Sequence, residues 1–169
     1  MPSEIRGSDN FDSANVGKVL QVVSVDTDSL LSTTSTAWQT VMSATITPSS
    51  SSSVILVMIT SVIGADGAIS TGQSVWRNST QILQGQSVSG ATASSGPSAY
   101  GGSSDANNNE QIAITGKDSP VTTSATTYYF KYRSPQSGTV RVNDLGSGRR
   151  SQIYSQTSLS SMTLMEIGA

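Results

Sequence analysis

Apolar positions along this chain fall into short clusters separated by hydroxyl-rich stretches, and one cluster stands apart. Val54–Ile63 (VILVMITSVI) is the only run in which apolar residues follow one another with almost no polar interruption. It is bounded by the serines Ser49–Ser53 and by Gly64-Ala65-Asp66-Gly67. The run falls far short of the ~20 residues that a membrane-spanning helix needs. Its Val, Ile and Thr content and the turn residues at both ends predict a strand covered on both faces, in the middle of a sandwich core.

The flanking pattern repeats on a smaller scale. Lys18–Val25 predicts a first strand, followed by a turn at Asp26-Thr27-Asp28. Trp38–Thr47 alternates, with Trp38, Thr40, Met42, Ala44 and Ile46 on one side, Gln39, Ser43, Thr45 and Thr47 on the other, and Val41 out of step. Ser74–Thr80 and Gln81–Gln84 give a weaker strand signal. A long irregular region, Gly85–Asn109, follows; a loop of that length in a compact domain usually carries function. Gln111–Gly116 resumes the strands and Lys117-Asp118-Ser119-Pro120 reads as a turn. Thr126–Arg133 and Thr139–Asn143, joined by a loop with Pro135 and Gly138, predict a hairpin. In it Tyr128, Phe130 and Tyr132 share one face, and Tyr129, Lys131 and Arg133 the other. Gly146–Arg150 is a basic turn, and Ser158–Ile167 closes the series.

No segment has a helical period. The expected fold is all-β, an antiparallel jelly-roll β-sandwich over residues 18–169 behind a short extended N-terminal arm, residues 1–17. The apolar pair of that arm, Ile5 and Phe11, would anchor it on a neighbour, or the arm is a frayed tail.

Composition narrows the function classes. Ser and Thr together supply almost a third of the residues, and charged residues only 12%. The recurrent β-branched and aromatic clusters separate the chain from disordered sequences of similar polarity. A net charge of −2 argues against a nucleic-acid binder. The N-terminal stretch has no apolar h-region, so the expectation is a chain made and folded in a cytoplasm, without membrane insertion.

Candidate chemistry is sparse. There is no Cys and no His, which removes thiol chemistry, the commonest general base and the commonest metal ligand. A serine nucleophile would lack its base. Glycoside cleavage needs only a carboxylate pair, but the acidic residues fall mostly at predicted turns, where Asp caps its own backbone. Asp26-Thr27-Asp28 lacks the six or more oxygens a calcium site takes, and Asn78-Ser79-Thr80 matches a glycosylation sequon of no evident use without a secretory signal. The reading is of a non-enzymatic protein with no cofactor and no metal. Lys131, Arg133 and Arg141 would share the outer side of the predicted hairpin, as a solvated face or as a docking patch for an anionic partner. Tyr128, Phe130 and Tyr132 would be core, or would lie at a subunit contact, where Tyr is enriched.

Several strings together carry a resemblance: Gly7-Ser8-Asp9-Asn10-Phe11-Asp12-Ser13 leading into Gly17-Lys18-Val19-Leu20-Gln21-Val22, Ile46-Thr47-Pro48-Ser49-Ser50 ahead of Val54-Ile55-Leu56-Val57, and the closing Leu164-Met165-Glu166-Ile167. Over residues 7–169 the chain resembles the C-terminal β-sandwich domain of tail fibres and other virion proteins of tailed bacteriophages. The resemblance implies a jelly roll of the tumour necrosis factor type, assembled as a homotrimer on the virion surface after synthesis in the bacterial cytoplasm. It brings no catalytic motif. A tail fibre normally carries a long shaft ahead of this module, whereas about seventeen residues precede it here. The first expectation is therefore a capsid decoration (cement) protein bound to the major capsid protein or another virion protein. Ile5, Arg6 and Phe11 would dock the arm, and Tyr128, Phe130 and Tyr132 would form the trimer contact. The alternative is a receptor-binding tip or adaptor of a tail fibre, whose loops between Gly85 and Asn109 read a host surface glycan.

Overall fold

A computed structural model describes residues 17–66, 69–85, 108–144 and 157–168. Ten strands run through them: β1 (Val19–Thr27), β2 (Leu31–Thr33), β3 (Gln39–Ile46), β4 (Val54–Ala65), β5 (Gly72–Arg77), β6 (Thr80–Ile82), β7 (Asn108–Asp118), β8 (Thr126–Arg133), β9 (Val140–Val142) and β10 (Ser160–Ile167). All pairings are antiparallel. One sheet has the order β1-β10-β4-β9-β2 with β7 also on β4; the other has the order β3-β8-β5-β6. The fold is all-β and sandwich-like.

The long apolar run is the hub of the larger sheet. Along one edge of β4, β10 pairs with Val54–Thr60 and β9 continues on Ile63–Ala65. Along the other edge β7 follows it from Ile55 to Ala65. Ile55, Val57, Ile59 and Ile63 point inward and are fully buried, together with Ile112, Ile114, Met162 and Leu164 of the same sheet. The smaller sheet meets them with Met42, Ile46, Val75, Tyr128, Phe130 and Tyr132. Each such side chain contributes about 1.5–3 kcal/mol by leaving water.

The expectation that β4 is covered on both faces fails. Val54, Leu56, Met58 and Val62 are only half-buried and Thr60 is exposed. The inward side chains of the run fill the core, while the outward Val54, Leu56, Met58 and Val62 stay half-buried on a face that also carries Lys117, Thr115 and Thr163.

The predicted hairpin is also corrected. Thr126–Arg133 forms β8 as expected but pairs with β3 and β5, while β9 belongs to the other sheet, against β4 and β2. The Pro135–Gly138 connection crosses between layers. Lys117 and Asp118, expected in a turn, instead extend β7, because Asp118 is drawn in by Arg77 and Tyr128.

Val41, the residue out of step, marks a bulge: the β3–β8 register shifts between Thr40 and Met42, and Val41 and Met42 are both buried. An inserted residue inverts the facing of everything on one side of it. Trp38 and Thr40, expected on the side of Met42, therefore turn outward with Ser43 and Thr45.

A candidate binding face on the smaller sheet

The outer face of the smaller sheet is built by register. Thr40, Lys131 and Ser74 form one row across β3, β8 and β5, and Ser43, Tyr129 and Trp76 form the next. Beyond Thr40, Trp38 stands beside Arg133, which lies opposite Gly72. The two indoles meet edge to face, with centroids 6.4 Å apart at an interplanar angle of 67°. The Lys131 ammonium sits 4.5 Å from the centre of the Trp76 ring and 5.1 Å from that of Tyr129. The Arg133 guanidinium lies 4.5 Å over the Trp38 ring. All five side chains are half-buried.

Charge on this sheet has one sign. β3, β5, β6 and β8 contain no Asp or Glu, and their charged residues are Arg77, Lys131 and Arg133. Arg77 turns inward to Asp118 of the opposite sheet, at 2.9 Å. Among the described residues neither Lys131 nor Arg133 has a carboxylate within ion-pair distance.

Three buried donors lie at the same face: the Ser74 hydroxyl, Trp76 Nε1 and Arg133 Nε have no hydrogen-bond partner among the described residues. Ser74 is fully covered. Its outward row lies between those of Arg133 and Trp76, beneath the meeting indoles.

The sequence-predicted basic patch is thus only partly assembled. Lys131 and Arg133 share the face with Tyr129, as the alternation of β8 requires. Arg141 is on β9 in the other sheet, where it pairs with Asp66 and lies 3.5 Å from Asp144. Trp38, Trp76 and Ser74 were not foreseen. The bulge at Val41 hid the first, and the last two came from a stretch with a weak strand signal.

Tyr128 and Phe130 are fully covered and Tyr132 is 3% exposed, within the single chain. They serve the core and leave no surface for a second subunit. The docking residues Ile5, Arg6 and Phe11 lie outside the described residues, as do most of the Gly85–Asn109 region and the basic turn Gly146–Arg150. Among the described residues no group of three or more His, Cys, Asp or Glu could hold a metal ion.

No protein-family model matches the chain, and no curated protein matches it.

A second surface lies on the opposite side of the molecule. Direct cross-strand partners point to one face, so Val19, Ile167 and Val54 form a row on the outside of the larger sheet, and Val22, Met165 and Leu56 the next. Met58 extends the patch beside Leu56 on the same face, and Ser24 and Thr163 give it a hydroxyl border. Val19 is 54% exposed and Val22 53%.

Proposed function

We propose that the chain is a non-enzymatic virion surface protein of a tailed bacteriophage, a jelly-roll homotrimer that decorates the capsid and stabilises the assembled shell. The observation that carries the assembly reading is the apolar block Val19–Ile167–Val54 and Val22–Met165–Leu56 on the outside of the larger sheet. A contiguous apolar patch left open on one protomer marks an association surface. A second copy of this chain is its natural occupant, since Val19, Ile167, Val54, Val22, Met165 and Leu56 are all apolar and the one charge in their rows, Lys117 opposite Leu56, lies at the β7 edge.

The strand order favours the jelly roll. With the short β2 and β9 set aside, the remaining eight strands deal into sheets β1-β10-β4-β7 and β3-β8-β5-β6. Two interlocked Greek keys would deal eight strands between their sheets in this way, which supports the reading. Binding only the assembled shell would stabilise it by mass action.

The reading predicts a trimeric mass by light scattering for the full-length protein, and a monomeric or aggregated one for Leu56→Glu and Val22→Glu. It also predicts tens to hundreds of copies per purified particle. A monomeric wild type would overturn the assembly reading. A handful of copies at the tail would favour the second reading, a receptor-binding tip, which the ring-and-cation face of the smaller sheet supports.

A further inference from the structure

We propose that the Trp38–Trp76–Tyr129 face, with Lys131 and Arg133, is a binding site for a carboxylate-bearing saccharide. The inference holds whether the chain sits on head or tail, and it does not depend on the trimer. It also moves any glycan recognition from the Gly85–Asn109 region to a sheet face.

Charge comes first. The strands of this sheet carry no anion, and two of their three cations, Lys131 and Arg133, lie on its outer face, in a chain whose net charge is −2. Lys131 and Arg133 rest on aromatic rings. A cation–π contact at an accessible site is worth about 0.5–1 kcal/mol, less than a charge-assisted hydrogen bond to a carboxylate. Both side chains can therefore keep their rings and accept an anion at the free side of the charge.

The rings supply the second requirement. A pyranose presents a flat C–H face with hydroxyls at its rim, and an aromatic plane with polar groups at its edge is its complement. Two indoles and a phenol surround the cations here. The three unpartnered groups at the face each carry a hydrogen to donate: Ser74 Oγ–H, Trp76 Nε1–H and Arg133 Nε–H. A buried donor without an acceptor costs about 1–3 kcal/mol. Saccharide carboxylate and hydroxyl oxygens are the acceptors that this set lacks.

A single-stranded nucleic acid also stacks on rings, but it needs a row of cations tracking its phosphates. Two cations side by side suit a single carboxylate better.

The chain's two tryptophans are Trp38 and Trp76, so tryptophan emission reports on this face alone. Trigalacturonate and sialyllactose would be titrated into the full-length protein at low salt, with maltotriose and a thymidine oligonucleotide as neutral and phosphate counterparts. The expected result is a saturable emission change with at least one carboxylated saccharide, weakened by salt. Lys131→Gln and Arg133→Gln should each reduce affinity by about tenfold or more, the worth of one charge-assisted bond. If either variant fails to fold, Ser43→Glu serves instead: Ser43 is exposed opposite Tyr129, and a carboxylate there should repel the ligand. The inference is overturned if neither carboxylated saccharide gives a saturable response. Equal binding of maltotriose, or tighter binding of the oligonucleotide, overturns it as well.

Discussion

Ser49 binds Glu166 twice, its backbone N–H at 2.7 Å and its hydroxyl at 2.6 Å both donating to the same carboxylate oxygen. Gln21 donates to the other oxygen at 2.6 Å. One carboxylate thus joins β1, β10 and the loop between β3 and β4, and it is fully covered. Burial alone would raise its pKa, but the donors of Ser49 and Gln21 outweigh that and hold it at about 2. A folded-state pKa below the unfolded value means that the stability it contributes is complete above the unfolded pKa. That contribution is lost as pH falls toward about 2. Urea midpoints measured as a function of pH should therefore fall between the ordinary carboxylate range and pH 2 more steeply in the wild type than in Glu166→Gln. At neutral pH the variant should be less stable by about 1–3 kcal/mol. Parallel pH profiles for the two proteins would refute the assignment.

Asn143 serves as a joint where β9 leaves the larger sheet. Its backbone is left-handed, with φ of 57°, and its amide nitrogen donates to Thr27 O at 3.0 Å while its side-chain oxygen accepts from Ser160 Oγ at 2.7 Å. Its own N–H reaches Val62 O at 3.0 Å. Asn143→Gly keeps the backbone permissive and loses the side-chain bonds, whereas Asn143→Ala loses both. Chemical denaturation should rank Ala below Gly by about 1–2 kcal/mol, the cost of the left-handed region for a residue with Cβ. Equal stability of the two variants would show that the backbone relaxes there.

Much of this architecture is legible in the sequence, and the failures have identifiable causes. Period-two alternation finds β8 and puts Tyr128, Phe130 and Tyr132 on one face, which the fold buries; β10 is legible as a strand, but its faces are not, since Glu166 turns inward and Ile167 outward. Alternation is blind to partners, so two strands close in sequence, β8 and β9, were paired although they lie in different sheets. It is also blind to an inserted residue: Val41 broke the pattern visibly, yet nothing local says that Trp38 therefore faces out with Lys131. A continuous apolar run does not distinguish a covered face from an open one, so the even positions of Val54–Ile63 read as core although the chain leaves them half-buried or exposed. Asp118 was read as a turn residue because its partners, Arg77 and Tyr128, are on strands that only the fold brings near.

Asp118 clamps the two sheets. It accepts from Arg77 through both oxygens at 2.9 Å and from the Tyr128 hydroxyl at 2.7 Å. The phenol is held well above its usual pKa by burial first and by the neighbouring carboxylate second. Tyr128→Phe leaves Asp118 still paired with Arg77, so its loss should be about 1 kcal/mol. Asp118→Ala strands both a guanidinium and a phenol and should lose about 2–4 kcal/mol, more than the two-partner sum of neutral bonds. Thermal melts of the two single variants and the double variant check this. Additive losses would mean that the three groups do not act as one network.

Gly72 sets the position of Arg133. A Cβ built on Gly72 would come within 2.9 Å of Arg133 Cγ and 3.3 Å of its Nε, so the arginine stem lies directly across the glycine on its way to Trp38. In Gly72→Ala the backbone gains the stiffness of a residue with Cβ, worth about 0.4–1 kcal/mol where the conformation is compatible. The methyl group displaces the Arg133 stem, which is flexible and can yield. The net change in melting temperature should therefore be small, while the guanidinium leaves the Trp38 ring. Tryptophan emission should change in the free protein, and any response to trigalacturonate should weaken as it does in Arg133→Gln. Lys131, which contacts Trp76 and Tyr129 one row away, should keep its place, so adding Lys131→Gln to Gly72→Ala should weaken binding further. Emission and affinity that match the wild type would mean that the open space at Gly72 has no part in holding Arg133 against the indole.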